Sequence, residues 1–72
     1  MTDEQWMFEF AKKLRRKMNM QQIAQKELSA LSGISETTIS RYLSGTQMPK
    51  IRPVLKIAKA LSASIFELLP FD

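Results

Sequence analysis

The sequence predicts an all-α fold, a bundle of five short helices, on three observations. Apolar residues recur at helical spacing along most of the chain. Serine, threonine and acidic residues stand where helices would begin, and no run alternates as a half-buried strand would. The 72 residues suffice for one domain, residues 1–72, and a hydrophobic fraction of 44% supplies its core without staples.

The first helix is expected over residues 3–19. Thr2 followed by Gln5 has the pattern of a capping box, and Asp3 and Glu4 suit the positive end of the helix dipole. Trp6, Phe10, Leu14 and Met18 recur every four residues and, with Met7 and Ala11, form one apolar stripe. Lys12, Lys13, Arg16 and Lys17 fall off that stripe. So does Phe8, near Arg15, which has no obvious place in the core. Residues 19–23 are the first break. Ile23, Leu28 and Leu31 give the next stripe, and a second helix is expected over 24–32, ended by Gly33 in the left-handed conformation that glycine tolerates. Asn19 with Gln22 offers an alternative capping box that would start this helix earlier.

Ser35 then caps a third helix that ends at about residue 44, before Gly45. Its side-chain oxygen can accept the backbone N–H of Thr38, and Glu36 sits well in the first turn. Ile39 and Tyr42 point inward. After a loop at 46–49, a fourth helix is expected over about 51–61, with Pro53 tolerated in its first turn and Val54, Leu55, Ile57, Ala58 and Leu61 apolar. Ser64 and Glu67 repeat the capping-box pattern for a short fifth helix that stops before Pro70. The sequence contains no internal repeat and no low-complexity segment.

Composition removes whole classes of chemistry. With no cysteine and no histidine, the usual zinc sites, Ser–His and Cys–His nucleophiles and imidazole acid–base catalysis are unavailable. No enzyme activity and no cofactor are expected. The acidic N-terminus does not read as an export signal, and no apolar stretch approaches the ~20 residues that span a bilayer. A soluble, cytoplasmic protein without membrane contact is expected, in keeping with the lack of cysteine. The net charge is +4, and its distribution says more. All 11 Lys and Arg lie between residues 10 and 60, opposed there only by Glu27 and Glu36, while both ends of the chain are acidic. A basic middle of this kind is the footprint of a polyanion binder, or simply a solvated charged surface.

Two short helices joined by a glycine-containing turn describe a helix-turn-helix. In that geometry one helix rests on the DNA backbone while the second enters the major groove, which is wide enough for one helix. With Ile39 and Tyr42 assigned to the core, the outer face of the third helix bears Glu36, Thr37, Thr38, Ser40 and Arg41. Spacing alone does not separate this from an ordinary αα-corner whose outer face meets water.

Residues 25–45 resemble the Cro/C1-type (XRE-like) helix-turn-helix family of phage and bacterial repressors. Gln25, Leu28, Gly33, Ile34, Ser35, Thr38, Ile39, Ser40, Gly45 and Pro49 stand at positions matching that family's pattern. Residues 55–61 and 64–69 are similar to its fourth and fifth helices. Ala24 departs from the usual capping residue of the second helix, Ser29 from a small alanine, and Lys50 from the cap of the fourth helix.

The resemblance implies a lambda-repressor-like DNA-binding domain with its helix-turn-helix at helices 2 and 3. It further implies a transcriptional regulator, most simply a repressor, whose partner is a double-stranded DNA operator. Gln25 would bond a phosphate, Glu36, Thr37 and Thr38 would sit deepest in the groove, and Arg41 would lie one turn further on. Side-chain chemistry agrees: arginine bonds guanine bidentately, glutamate accepts from cytosine N4, and a threonine methyl meets a thymine methyl. Ser35, Ser44 and Thr46 are candidates for phosphate contacts. Ser35 serves equally as a cap, and Glu36 serves the helix dipole while being repelled by phosphate. A homodimer on two half-sites is expected, formed through the apolar Ile65, Phe66, Leu68, Leu69 and Phe71, with Phe8 as a second contact. In the alternative reading Phe66 and Leu69 plug the core, and the fold serves as an antitoxin or protein-interaction module.

Overall fold

The computed structural model describes residues 1–70. Within them run four α-helices, α1 Asp3–Gln21, α2 Gln25–Ser32, α3 Glu36–Ser44 and α4 Ile51–Ala60, followed by a single 3-10 turn at Ile65–Glu67. No strand occurs among the described residues. The all-α expectation holds, but a five-helix count does not.

The expected fifth helix is reduced for a local reason. Its capping box does form: the Phe66 amide donates to Ser64 Oγ at 3.2 Å, and the Ser64 amide donates to Glu67 Oε2 at 2.7 Å. Only five residues separate Ser64 from Pro70, however, and proline cannot donate to extend a helix. The Leu68 and Leu69 amides both fall back on the Ile65 carbonyl, at 3.0 and 3.1 Å. Lys17 Nζ meets Glu67 Oε1 at 2.6 Å and ties this turn to α1.

The first helix starts as expected, with the Thr2–Gln5 capping box closed by bonds of 2.9 and 3.1 Å. It ends two residues later than expected. Gln22 takes a left-handed conformation at φ 56, and the Ile23 amide bonds back to the Met18 carbonyl at 2.9 Å, so Asn19 lies inside α1 and caps nothing. Gln21 Nε2 adds a bond of 2.6 Å to the Leu61 carbonyl, holding the end of α1 against the end of α4. Consequently α2 begins after Ala24, without a side-chain cap.

The core is built from one stripe of each helix. Phe10 and Leu14 of α1, Leu28 of α2, Ile39 of α3 and Ile57 of α4 are fully buried, joined by Leu61 and Leu68. Trp6 stacks on Phe10 with ring centroids 5.5 Å apart, and Phe10 meets the Tyr42 ring edge-on at 6.1 Å. Two expected core positions fall outside it. Leu31 is 56% exposed, because an eight-residue helix keeps Leu28 and Ser32 inward, one turn apart. Leu55 is 49% exposed, because Val54, Ile57, Ala58 and Leu61 already complete the inner stripe of α4.

The apolar C-terminal segment divides likewise. Leu68 is fully buried and cannot form a dimer surface; Ile65 and Leu69 are half-buried, whereas Phe66 is 68% exposed. Burial thus takes Leu68 into the core; of the two residues expected as plugs in the alternative reading, Leu69 packs half-buried against the core and Phe66 stays exposed. Phe71 lies outside the described residues. Phe8 is exposed, as its place off the α1 stripe implies, and Lys12 Nζ stands 5.3 Å from the centre of its ring.

Candidate nucleic-acid interface

Helices α2 and α3 are joined by residues 33–35, and the turn depends on Gly33. Its φ of 76 is left-handed, and its amide bonds the Ser29 carbonyl at 2.9 Å, closing α2. The chain then re-enters a helix at once. Ser35 is extended and accepts the Thr38 amide on its Oγ at 3.2 Å, satisfying one of the free amides of the first turn of α3. Buried Ile39, Tyr42 and Leu43 fix the inner face of α3 against the core. Glu36, Thr37, Ser40, Arg41 and Ser44 are thereby turned outward and exposed.

The outward side chains differ in what occupies them. Ser35 Oγ donates to Thr38 Oγ1 at 2.9 Å, which engages both hydroxyls and leaves the Thr38 O–H as a donor. At the far end of α3, Ser44 Oγ donates to the Arg41 carbonyl at 3.1 Å and lies 2.8 Å from Thr46 Oγ1, which itself bonds that carbonyl at 3.3 Å. Ser44 and Thr46 therefore knit the helix C-terminus, where Gly45 sits at φ 72. No hydrogen bond or ion pair within the described residues engages the side chains of Glu36, Thr37, Ser40 or Arg41. An acid, two hydroxyls and a guanidinium are thus displayed together on one face of a helix closed at both ends.

Gln25 is the first residue of α2 and is exposed. Because Ala24 provides no capping oxygen, the first amides of α2 have no side-chain acceptor. This end of α2 adjoins the C-terminal end of α3 across a shallow groove of about 380 Å³ whose lining includes Arg15, Asn19, Gln25 and Leu43. Across it, Arg15 Nη2 donates to the Leu43 carbonyl at 3.0 Å. A second groove of about 540 Å³ runs between α1 and the end of α3, walled by Met7, Phe8, Ala11 and Leu43.

The expected site residues on α3 and its flanks divide by whether their polar groups are engaged. Glu36, Thr37 and Arg41 present unoccupied polar groups, whereas the hydroxyls of Ser35, Thr38, Ser44 and Thr46 are engaged internally. Ser40 belongs with the unoccupied group; its spacing from Glu36, one turn away, was sufficient to identify it. The Arg15–Leu43 bond has no signal in the sequence, since Arg15 lies within a basic run that reads as a solvated face. Among the described residues no cluster of acidic side chains could hold a metal ion, and no helix is long and apolar enough to cross a membrane.

Residues 12–68 match the helix-turn-helix family HTH_3. An HTH_3 family transcriptional regulator from Vibrio cholerae superposes with a TM-score of 0.90 at 24% sequence identity, the match covering 93% of this chain and 38% of that one. The present chain is therefore similar to well under half of that protein, and the likeness carries the fold alone. The restriction-modification controller protein C.AhdI from Aeromonas hydrophila superposes with a TM-score of 0.85 at 25% identity, covering 88% of this chain and 96% of that one. No curated protein matches the chain.

Proposed function

The chain belongs to the HTH_3 helix-turn-helix family, and we propose that residues 1–72 act as a single sequence-specific DNA-binding unit of a cytoplasmic transcriptional regulator, of the repressor kind. The recognition helix is α3, entering the major groove of a double-stranded operator. One observation carries this reading: Glu36, Thr37, Ser40 and Arg41 stand exposed and unengaged on a helix closed at both ends. Arg41 reads guanine, Glu36 accepts from cytosine N4, and the threonine and serine contact neighbouring base edges. Gln25 anchors a phosphate at the uncapped start of α2. Ser35, Thr38, Ser44 and Thr46 hold the ends of α3 and approach the phosphates through their backbone and the remaining hydroxyl capacity. The protein works as a binder, with no chemical step.

Two copies bind two half-sites. With Leu68 committed to the core, the surface for the second copy is exposed Phe66 together with half-buried Ile65 and Leu69. The test is selection of duplexes from a randomised pool, repeated with Arg41→Ala. An enriched motif that this substitution relaxes at one position supports the reading. No enrichment, with equal affinity of both proteins for any duplex, contradicts it.

The groove beside Phe8 favours a second reading, a protein-interaction module such as an antitoxin. In that case a protein ligand, rather than a duplex, would protect α1 and the end of α3 from amide exchange.

A further inference from the structure

Arg15 stands where three helices converge. From the middle of α1 its Nη2 reaches the carbonyl oxygen of Leu43 at 3.0 Å, across 28 residues of chain. Leu43 lies in the last turn of α3, where carbonyls have no amide of their own helix to accept. Its neighbours are closed locally: the Arg41 carbonyl accepts the Thr46 amide at 3.0 Å, and the Tyr42 carbonyl accepts the Gly45 amide at 3.2 Å. The Leu43 carbonyl is closed instead from another helix. The guanidinium also brings positive charge to the negative end of the α3 dipole.

We propose that Arg15 is a positioning residue for DNA binding, whose bond to Leu43 sets the position of α3 against α1 and hence the depth at which Glu36 and Arg41 reach base edges. The inference rests on the reading of α3 as the recognition helix. The packing of Ile39, Tyr42 and Leu43, with Phe10 edge-on to Tyr42, decides which face of α3 turns inward. The hydrogen bond from the Arg15 guanidinium adds a directional tie at the C-terminal end of α3, because it weakens steeply away from its preferred distance and angle. Arg15 therefore fixes the end of α3 that lies beyond the buried Leu43 side chain. The competing role for an exposed arginine in a basic run is a direct phosphate contact, and the two differ in what they require. Positioning requires the N–H donor, whereas a phosphate contact requires the charge.

The 72-residue chain is within reach of chemical synthesis, so the two can be separated. Arg15→citrulline keeps the length, the Nε–H and one terminal NH2 group that can reach the Leu43 carbonyl, and replaces the other with an oxygen, removing the charge; Arg15→Met removes donor and charge together. Each is compared with the wild type on a fluorescein-labelled duplex bearing the motif selected by the wild type, and on a scrambled duplex, across a salt series. Circular dichroism confirms that each variant is folded. Positioning predicts that Arg15→Met binds the selected duplex about tenfold more weakly, with unchanged affinity for the scrambled one. It predicts that Arg15→citrulline recovers most of the wild-type affinity, short of the part the charge contributes at the end of α3, and that the salt slope stays constant. If both variants weaken binding to both duplexes, and the log–log salt slope falls by about 0.9, Arg15 is a phosphate contact and the proposal is overturned.

A measurement on the free protein isolates the proposal from the DNA reading. Amide exchange at Gly45 and Thr46 is expected to speed severalfold in Arg15→Met and to return most of the way to the wild-type rate in Arg15→citrulline. Unchanged exchange in Arg15→Met overturns the positioning role. Failure of the wild type to select any motif overturns instead the reading of α3 as the recognition helix.

Discussion

Ser35 and Thr38 bond each other twice: the Thr38 amide donates to Ser35 Oγ at 3.2 Å, and the same Oγ donates to Thr38 Oγ1 at 2.9 Å. The entry to α3 is closed before any ligand arrives. In the proposed reading Ser35 therefore belongs to the frame of the site, and Glu36, Thr37, Ser40 and Arg41 to its reading face.

Ser35→Ala removes the cap and is expected to lower stability by about 1 kcal/mol. In a domain of this size that lowers the thermal midpoint by roughly 4–8 °C. Thermal unfolding followed by circular dichroism measures it, and Ser35→Asp, which keeps a capping oxygen, should recover most of the loss. The selected DNA motif should be the same for all three proteins.

Arg41→Ala is expected to cost about 1–3 kcal/mol on the selected duplex while changing the affinity for unrelated DNA far less. Competition binding with duplexes substituted one base pair at a time should place the loss at a single guanine. An equal loss on every sequence would make Arg41 a phosphate contact.

Gly33→Ala and Gly45→Ala each force a Cβ onto a left-handed backbone, at φ 76 and 72. A Cβ at Gly33 meets nothing within 4 Å, and one at Gly45 meets only Met7 and Phe8 backbone atoms at 3.9 Å or beyond, so neither clashes. The cost is conformational in both cases, about 1–2 kcal/mol. Urea unfolding midpoints should fall similarly in the two variants. Gly33→Asn should recover part of the loss, because asparagine tolerates this conformation.

The Lys17–Glu67 pair gives an acid-sensitive tether. The Lys17 ammonium, and then the Ser64 amide, hold the Glu67 carboxyl below its ordinary value of 4.5. A carboxylate with a depressed folded-state value contributes stability that is fully present above 4.5 and is lost as pH falls through the depressed value. Acidification should therefore release the 3-10 turn from α1. Carboxyl NMR titration of Glu67 should show the lowered midpoint, returning towards 4.5 in Lys17→Met. Glu67→Gln should flatten the corresponding part of the acid unfolding profile.

Phe66 and Leu68, two residues apart, differ in exposure, at 68% and 0%. Phe66→Ser should weaken self-association in sedimentation equilibrium, since it removes exposed apolar area. Leu68→Ala, which empties a fully buried site, should cost about 2–5 kcal/mol of stability.

The features legible in the sequence are those carried by local patterns. The Thr2 and Ser64 capping boxes, the Ser35 cap, the left-handed Gly33 and the inward faces of α1 and α3 all follow from residues within one or two turns of each other. Where the local patterns led astray, a non-local contact or a short element decided. Leu31 and Leu55 are apolar yet exposed because the inner stripes of α2 and α4 are already filled by their neighbours. Leu68 is core because the C-terminal turn folds back on the bundle, which spacing cannot reveal. At the candidate site, the exposed set on α3 followed from helical periodicity. The locking of Ser44 to Thr46, and the bond from Arg15 to Leu43, depend on how the helix ends meet in space.

Binding of the selected duplex against a scrambled one, between about 50 and 200 mM salt, measures whether α3 reads DNA sequence. A two-part motif with half-sites about 10 base pairs apart is expected. The affinity should exceed that for the scrambled duplex by at least ~10³-fold, with both affinities falling steeply as salt rises. Equal affinity for the two duplexes at every salt concentration would contradict sequence reading by α3.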